Sequence, residues 1–199
     1  CETLNIRYIH DNSRIISIGE KRNKSLEYCT NDIILFMDDD DYYPPESFRN
    51  RVEILKHTNK KMVGCSIIGC FDIAKFVSYI YSSPLQSVFY RKISPASLCF
   101  YKDFINDKRR FSDSNIFECE DIINHNGYSE FKEINWEGVI VSITHKNNTT
   151  NRNSPDSKPN GCHYGWNTKL FKFIAELDDT KETKETKETK ETKETKETK

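Results

Sequence analysis

A short apolar run that ends in four consecutive aspartates constrains the fold of this chain more than any other stretch. Residues 33–37 read IILFM, and Asp38 to Asp41 follow without a break. A run of five apolar residues that begins with β-branched side chains and does not alternate predicts a strand buried on both faces of an α/β sheet. The aspartates therefore lie at the carboxyl end of that strand, where open α/β sheets bind their ligands.

Four adjacent carboxylates repel one another by roughly 1 to 4 kcal/mol per pair, depending on the local dielectric. Water relieves this repulsion on a solvated loop, whereas Mg2+ or Mn2+ relieves it by binding carboxylate oxygens together with substrate phosphates. We favour the metal, because the cluster follows a buried strand and precedes a turn and a helix start. A calcium loop of the EF-hand type is excluded, since no glycine lies between Tyr42 and Ser47.

The stretch from Gly19 to Phe48, GEKRNKSLEYCTNDIILFMDDDDYYPPESF, resembles the central part of family-2 glycosyltransferases of the GT-A fold. The shared features are a KRN-type helix, a hydrophobic strand, a DXD metal motif and a proline a few residues later. The resemblance implies an α/β fold with a Rossmann-like mixed sheet flanked by helices. It also implies that the family's first strand and the acidic residue that holds the nucleotide base are missing, so we expect a domain incomplete at its N-terminus.

The resemblance implies transfer of a sugar from a nucleotide-sugar donor to a hydroxyl group of a glycan or protein, with inversion and with Mn2+ or Mg2+. Asp38 and Asp40 form the DXD motif, with Asp40 as the direct metal ligand and Asp38 nearer the ribose or shared with the metal. Asp39 is assigned with Asp38 to the donor side. Lys21 and Arg22 occupy positions where the family often has a basic side chain near the donor nucleotide. Two solvated charges on a helix surface are the alternative for that pair.

A second acidic cluster lies at residues 117–123, FECEDII, before a predicted helical turn that ends near Gly127. In the resembled family an ED-type motif at a helix start supplies the base that takes the proton of the attacking hydroxyl. Asp121 matches this role best, and Glu120 and Glu118 compete with it. The alternative is structural, because acidic side chains are common in the first turn of a helix.

His145 ends a β-rich run, GVIVSITH, that follows the second acidic cluster. A lone histidine is more often structural than a ligand. Its position at a strand end resembles that of the third metal ligand in several GT-A enzymes, so we predict His145 as a ligand beside Asp40. His163, in the stretch GCHYGW, is a weaker candidate.

Local patterns predict the remaining elements and the domain limits. The domain covers residues 1–177, and the KET repeat that fills residues 181–199 places 178–199 in a disordered tail. Phe48, Val52 and Leu55 are predicted to form the inward face of one helix. The patterns predict strands over Leu4 to Ile9, 62–68, 131–136 and 139–144, a turn leading into a strand over 94–100, and a β-rich segment over 70–80. They also predict a loop or edge region over 84–91 and helices over Lys21 to Thr30, Phe48 to Thr58 and 170–177.

The balance of charges and the spacing of the cysteines limit the partners and the compartment that we expect. Outside the repeat the chain has 23 basic and 25 acidic residues, a balance that gives no electrostatic reason to expect nucleic acid or a membrane surface. No run approaches the roughly 18 apolar residues of a membrane span. Seven irregularly spaced cysteines without a C-x-x-C pair indicate reduced thiols, with Cys65 and Cys99 in the core, and a cytoplasmic setting.

Two other classes of function remain open from the sequence. A metal-dependent nucleotidyltransferase would share the acidic strand end, although such enzymes usually add a glycine-rich phosphate loop, which this chain lacks. A non-catalytic glycosyltransferase remnant or interaction module would fit the missing first strand and the repetitive tail.

Overall fold

The described part of the chain forms two mixed β-sheets flanked by helices. A computed structural model describes residues 6–10, 16–75, 77–82, 93–115, 118–124 and 127–148. Its elements, in chain order, are α1 Ile18–Glu27, β1 Ile33–Leu35, α2 Ser47–His57, β2 Met62–Gly64, β3 Ile67–Asp72, β4 Val77–Ser82, β5 Cys99–Tyr101, α3 Glu120–Asn124, α4 Gly127–Glu130, β6 Phe131–Glu133 and β7 Val141–Thr144.

The two sheets each combine antiparallel and parallel pairs. The first has the order β1-β5-β2-β6, in which β5 runs antiparallel to both neighbours and β2 runs parallel to β6. The second has the order β4-β3-β7, in which β3 is antiparallel to β4 and parallel to β7. This arrangement confirms the predicted α/β class with a mixed sheet flanked by helices.

The first sheet separates two hydrophobic clusters, and β1 contributes to both. Ile33 and Leu35 pack against one cluster, whereas Ile34 and Phe36 belong to the other. This alternation is why the run contains no polar residue, and it confirms the prediction of a strand covered on both faces. The strand is shorter than expected, because Met37 is 41% exposed and pairing ends one residue earlier, where the Phe36 N–H donates to the Leu98 carbonyl at 3.1 Å.

Helix α1 begins earlier than the predicted start at Lys21. Ser17 caps it, because its side-chain oxygen accepts the Glu20 N–H at 3.0 Å. The helix ends at Glu27, three residues before the predicted end at Thr30. Its buried face consists of Gly19, Arg22 and Leu26, so Leu26 faces inward as predicted and a charged residue shares that face.

Helix α2 lies within one residue of its predicted range at each end, but one residue of the predicted inward face is wrong. Phe48 is 52% exposed, and the buried residues are Ser47, Arg51 and Leu55. These three are spaced four apart, so they lie on one side of the helix. Ser47 is small enough for that side to approach the β6–β7 connection, where its hydroxyl donates to the Val139 carbonyl at 2.6 Å.

Other sequence predictions have mixed outcomes. The predicted strand over Leu4 to Ile9 is wrong for its described part, since Ile6 and Tyr8 have no regular structure and are 82% and 83% exposed. The predicted strand over 62–68 divides into β2 and the start of β3. The loop at 84–91, the helix at 170–177, His163 and the 178–199 tail lie outside the described residues.

The burial of two cysteine thiols confirms a prediction from the sequence. Cys65 and Cys99 are free and fully buried, and burial raises the pKa of each thiol to about 12. They behave as small core hydrophobes, as predicted. In the described ranges, no helix combines the length and apolar character needed to cross a bilayer.

Candidate functional site

The four aspartates form a turn that links the two sheets. The Asp41 N–H donates to the Asp38 carbonyl at 3.4 Å, and Tyr42 then pairs with Val141 of β7 through two backbone hydrogen bonds of 2.9 and 2.8 Å. The Tyr43 hydroxyl accepts the Asp38 N–H at 2.8 Å and donates to the Ala96 carbonyl at 3.3 Å. The turn is therefore held at both ends, between the end of β1 and the start of β7.

Asp38 is bound by Arg22 from α1. Arg22 Nη2 lies 3.0 and 3.1 Å from the two carboxylate oxygens of Asp38, and Nε donates to Glu118 Oε1 at 3.3 Å. Burial lowers the pKa of Arg22, but nearby Asp38, Cys119 and Glu118 outweigh it, and the net pKa is raised. The charged Arg22 side chain thus connects the aspartate turn with Glu118, in the segment before α3. Its predicted contact with the donor nucleotide stays a prediction.

Asp41 has a different partner, the middle of β7. Its Oδ1 accepts the Ser142 hydroxyl at 2.7 Å and the Ile143 N–H at 3.0 Å. Asp39 is exposed and belongs to neither contact. The fold therefore disperses the repulsion of the four carboxylates by turning neighbouring side chains toward different groups.

Asp40 faces His145, the residue that follows β7. Asp40 Oδ2 lies 3.0 Å from His145 Nε2 and accepts a hydrogen bond from Asn148 Nδ2 at 3.2 Å. Two of the three predicted metal ligands, Asp40 and His145, are therefore brought together although 105 residues separate them. Their side chains remain 43% and 22% exposed, so a ligand can reach the pair from solvent.

A divalent ion fits the Asp40–His145 pair if the substrate supplies further oxygens. The described residues contain no group of three His, Cys, Asp or Glu side chains that could hold a metal. Mg2+ usually takes one or two protein ligands together with phosphate oxygens and water. Asp40 Oδ2 and His145 Nε2 are 3.0 Å apart, the length of a hydrogen bond, so an ion bound by this pair would replace that hydrogen bond. Asp38, held by Arg22, lies outside this pair.

The predicted bases separate into different environments. Glu118 is 6% exposed and paired with Arg22. Asp121 is exposed and lines a groove of about 510 Å3 between α1 and residues 108–113. Glu120 begins α3, but its side chain lies outside the described part. Charged and polar residues dominate the groove lining: Glu20, Asn23, Lys108, Arg110, Phe111, Ser112, Asp113 and Asp121.

The remaining predicted donor-side residue, Lys21, lies on the exposed side of α1. Among the described residues, the groove lining does not include Asp38, Asp40 or His145. Glu118 nevertheless connects the groove with the aspartate turn. Its carboxylate contacts Arg22, and it is three residues from Asp121 in the sequence. The groove and the aspartate turn thus flank the Arg22–Glu118 pair.

Sequence reasoning missed Arg51, which contacts residues on both sides of the aspartate turn. It is fully buried, and its Nη1 donates to the carbonyls of Phe36 at 2.9 Å and Ala96 at 3.4 Å. Its guanidinium also lies 5.5 Å from the centroid of the Tyr43 ring. The spacing of four residues from Ser47 and from Leu55 was the available signal, but a charged residue on a buried face is not expected from periodicity.

Asn148 was also missed, because it lies in the polar stretch KNNTTNRN, where no local pattern distinguishes one asparagine from the next. Its side chain contacts both Asp40 and His145. Only the fold of β7 against the aspartate turn makes that contact visible.

Comparison with known proteins gives one finding for this site. The family model described as Glycosyl transferase family 2 matches residues 1–117. The match contains α1, β1, the aspartate turn and β5, and it ends before Glu118, Asp121 and His145. No curated protein matches the chain.

Proposed function

The chain belongs to glycosyltransferase family 2, and we propose that it moves a sugar from a nucleotide-sugar donor to a hydroxyl group of a glycan or protein, using Mn2+ or Mg2+ bound at Asp40 and His145. Family membership supports glycosyl transfer as the class of reaction. The observation that carries the metal site is the 3.0 Å separation of Asp40 Oδ2 and His145 Nε2 at the meeting point of the two sheets.

The aspartate turn binds the donor in this proposal. A bound divalent ion supplies positive charge to the diphosphate that leaves with the nucleoside. Asp38 remains 38% exposed while Arg22 holds it, so a free lone pair of its carboxylate can accept a hydrogen bond from a ribose hydroxyl. Asp39 and Lys21, both exposed, lie in the same region of the chain and add donor contacts.

Asp121 is the proposed base for the acceptor. It is exposed and lines a groove of about 510 Å3, whereas Glu118 is buried and paired with Arg22. As the acceptor oxygen bonds to the anomeric carbon, its proton passes to the Asp121 carboxylate and the bond to the diphosphate oxygen breaks. Attack from the face opposite the leaving group inverts the configuration.

Calorimetry on the full chain tests the donor site. We expect a nucleotide sugar to bind only when Mn2+ is present, and Asp40→Ala and His145→Ala to weaken binding by more than about 100-fold, because a direct ligand contributes more than a group that orients one. Asp107→Ala, at an exposed aspartate in the turn between Asn106 and Arg109, is the matched control and should bind normally. The metal site would be refuted if the donor bound equally well without Mn2+, or if neither substitution weakened its binding.

Product analysis separates the proposal from the two other classes of function. Sugar transfer releases a nucleoside diphosphate, whereas nucleotidyl transfer releases pyrophosphate. A folded chain that binds the donor and releases neither product with any acceptor would be a non-catalytic remnant.

A further inference from the structure

We propose that Tyr43 is a positioning residue for Asp38, and that the Tyr43 hydroxyl and the buried Arg51 side chain together hold the aspartate turn in the shape that binds the donor. This inference rests on the proposed function, in which the Asp38 carboxylate accepts a hydrogen bond from a ribose hydroxyl. Tyr43 acts on the donor only through Asp38, and Arg51 acts by holding Tyr43 and the ends of the turn.

The Tyr43 hydroxyl ties the two ends of the aspartate turn together. It accepts the Asp38 N–H at 2.8 Å and donates to the Ala96 carbonyl at 3.3 Å. A residue just past the turn is thus bonded both to the first residue of the turn and to the segment that precedes β5. Burial raises the pKa of this hydroxyl, and nearby Asp41 and Asp38 add to the rise. The hydroxyl therefore stays protonated and keeps donating to Ala96 while the carboxylates are charged.

Arg51 holds the groups to which Tyr43 is bonded. Its Nη1 donates to the Phe36 carbonyl at 2.9 Å and to the Ala96 carbonyl at 3.4 Å, and its guanidinium carbon lies 5.5 Å from the centroid of the Tyr43 ring. Its Nε donates to the Ser47 carbonyl of α2 at 3.3 Å, so the guanidinium is anchored to a helix. Because Phe36 precedes the turn and Tyr43 follows it, one side chain restrains the chain on both sides of the four carboxylates.

The environment of Arg51 indicates a role in the site rather than in the core. The side chain is fully buried, no carboxylate of the described residues pairs with it, and its Nη2 has no hydrogen-bond partner in the described part of the chain. A buried charge costs stability unless it is paired and fully hydrogen-bonded. Residues that break such a rule are expected at functional sites, and here the contacts of Arg51 restrain a turn in which four carboxylates repel one another.

Nucleotide-sugar binding measured by calorimetry on the full chain tests this role. The probes are UDP-glucose, GDP-mannose and ADP-glucose, each with Mn2+. We expect Tyr43→Phe to weaken binding about fivefold, because phenylalanine keeps the ring beside Arg51 but loses the hydroxyl that bonds to Asp38. Tyr42→Phe is the matched control and should bind normally, since the contacts of Tyr42 with Val141 use its backbone. Equal losses in the two variants would overturn the role of Tyr43.

A double-mutant cycle shows whether Tyr43 acts through Asp38. If it does, Tyr43→Phe should add no further loss to an Asp38→Ala variant, because the carboxylate that Tyr43 positions is already absent. A merely structural contribution of Tyr43 would lower the affinity by the same factor with and without the Asp38 carboxylate, and would overturn the proposal.

Arg51→Met tests the second residue of the pair. Methionine is an apolar side chain of similar length and removes the buried charge, so the variant should still unfold cooperatively in urea. We expect it to weaken donor binding at least fivefold, because the ends of the turn lose their common restraint. A folded Arg51→Met variant that binds the donor as the parent chain does would exclude Arg51 from the role.

Amide exchange tests the contact itself without donor or metal. The Asp38 amide hydrogen should exchange about fivefold faster in Tyr43→Phe than in the parent chain, because one hydrogen bond is worth about 1 kcal/mol, and Tyr42→Phe should not change its exchange. Unchanged exchange in Tyr43→Phe would overturn the positioning role whatever the donor does.

The outcomes distinguish this inference from the proposed function. If Asp38→Ala weakens donor binding while Tyr43→Phe does not, the positioning role is wrong and the donor site stands. If none of the three nucleotide sugars binds the parent chain, or if Asp38→Ala leaves their binding unchanged, the donor site itself is wrong, and the role of Tyr43 in it is wrong as well.

Discussion

Arg22 is a buried arginine whose guanidinium group joins Asp38 to Glu118. We predict that Arg22→Met lowers the free energy of unfolding by about 3 kcal/mol, because it leaves the buried Glu118 without its partner. Asp38 is 38% exposed, so solvent screening makes its share of the loss small. Urea denaturation measures the change, and Lys21→Met, the same replacement at an exposed neighbour, should change stability by less than about 0.5 kcal/mol.

Replacing Asp121 tests its proposed role as the catalytic base. If it is the base, Asp121→Asn should lower kcat by about 100- to 10,000-fold and leave Mn2+-dependent donor binding unchanged, since the groove lining excludes Asp40 and His145. Asp113→Asn, at another exposed carboxylate of the same groove, is the control for a general charge effect. Equal losses in the two variants would contradict a proton-transfer role.

At the level of the element, the position of α1 depends on Gly19. A Cβ at this residue would lie 1.8 Å from the Ser112 carbonyl oxygen and 3.2 Å from Glu118 Cβ. Replacing a helical glycine by alanine usually stabilises a protein by about 1 kcal/mol, but we predict that Gly19→Ala destabilises this chain by about 1 to 3 kcal/mol, because backbone must move. Urea denaturation measures this change as well.

The control for α1 is Glu27→Ala, a substitution at an exposed position of the same helix. It should be close to neutral. A stabilised Gly19→Ala variant would mean that Ser112 and Glu118 do not pack against α1 as described.

At the scale of the whole molecule, Asp41 helps to join the two sheets. Its carboxylate holds Ser142 and Ile143 of β7, while the preceding residues continue from β1. We predict that Asp41→Ala lowers the free energy of unfolding by about 1 to 3 kcal/mol, because the Ile143 N–H loses its acceptor. Asp41→Asn should lose less, since an amide oxygen can still accept, and Asp39→Ala, at an exposed member of the turn, should be nearly neutral. Equal losses for Asp39→Ala and Asp41→Ala would contradict this division of roles.

Sequence patterns predicted the elements that depend on interactions between residues close in the chain. Helix α2, the strand before the aspartates and the core positions of Cys65 and Cys99 were predicted from apolar patterns, proline placement and turn residues. The failures were also local: alternation alone predicted a strand at Leu4 to Ile9, although Ile6 and Tyr8 are exposed and have no regular structure. A strand needs a neighbour for its backbone hydrogen bonds, and a pattern does not supply one.

The sequence by itself determined the buried strand and its acidic end, because short-range periodicity acts within one element, whereas the GT-A fold and the candidate ligands came from the resemblance to family-2 glycosyltransferases. Only the tertiary structure decided which aspartate meets which partner: Asp38 meets Arg22, Asp41 meets β7, and Asp40 meets His145 and Asn148. It also decided that Arg51 is buried. The physical reason is distance along the chain, since 105 residues separate Asp40 from His145 and their contact depends on how two sheets pack, which no local preference encodes.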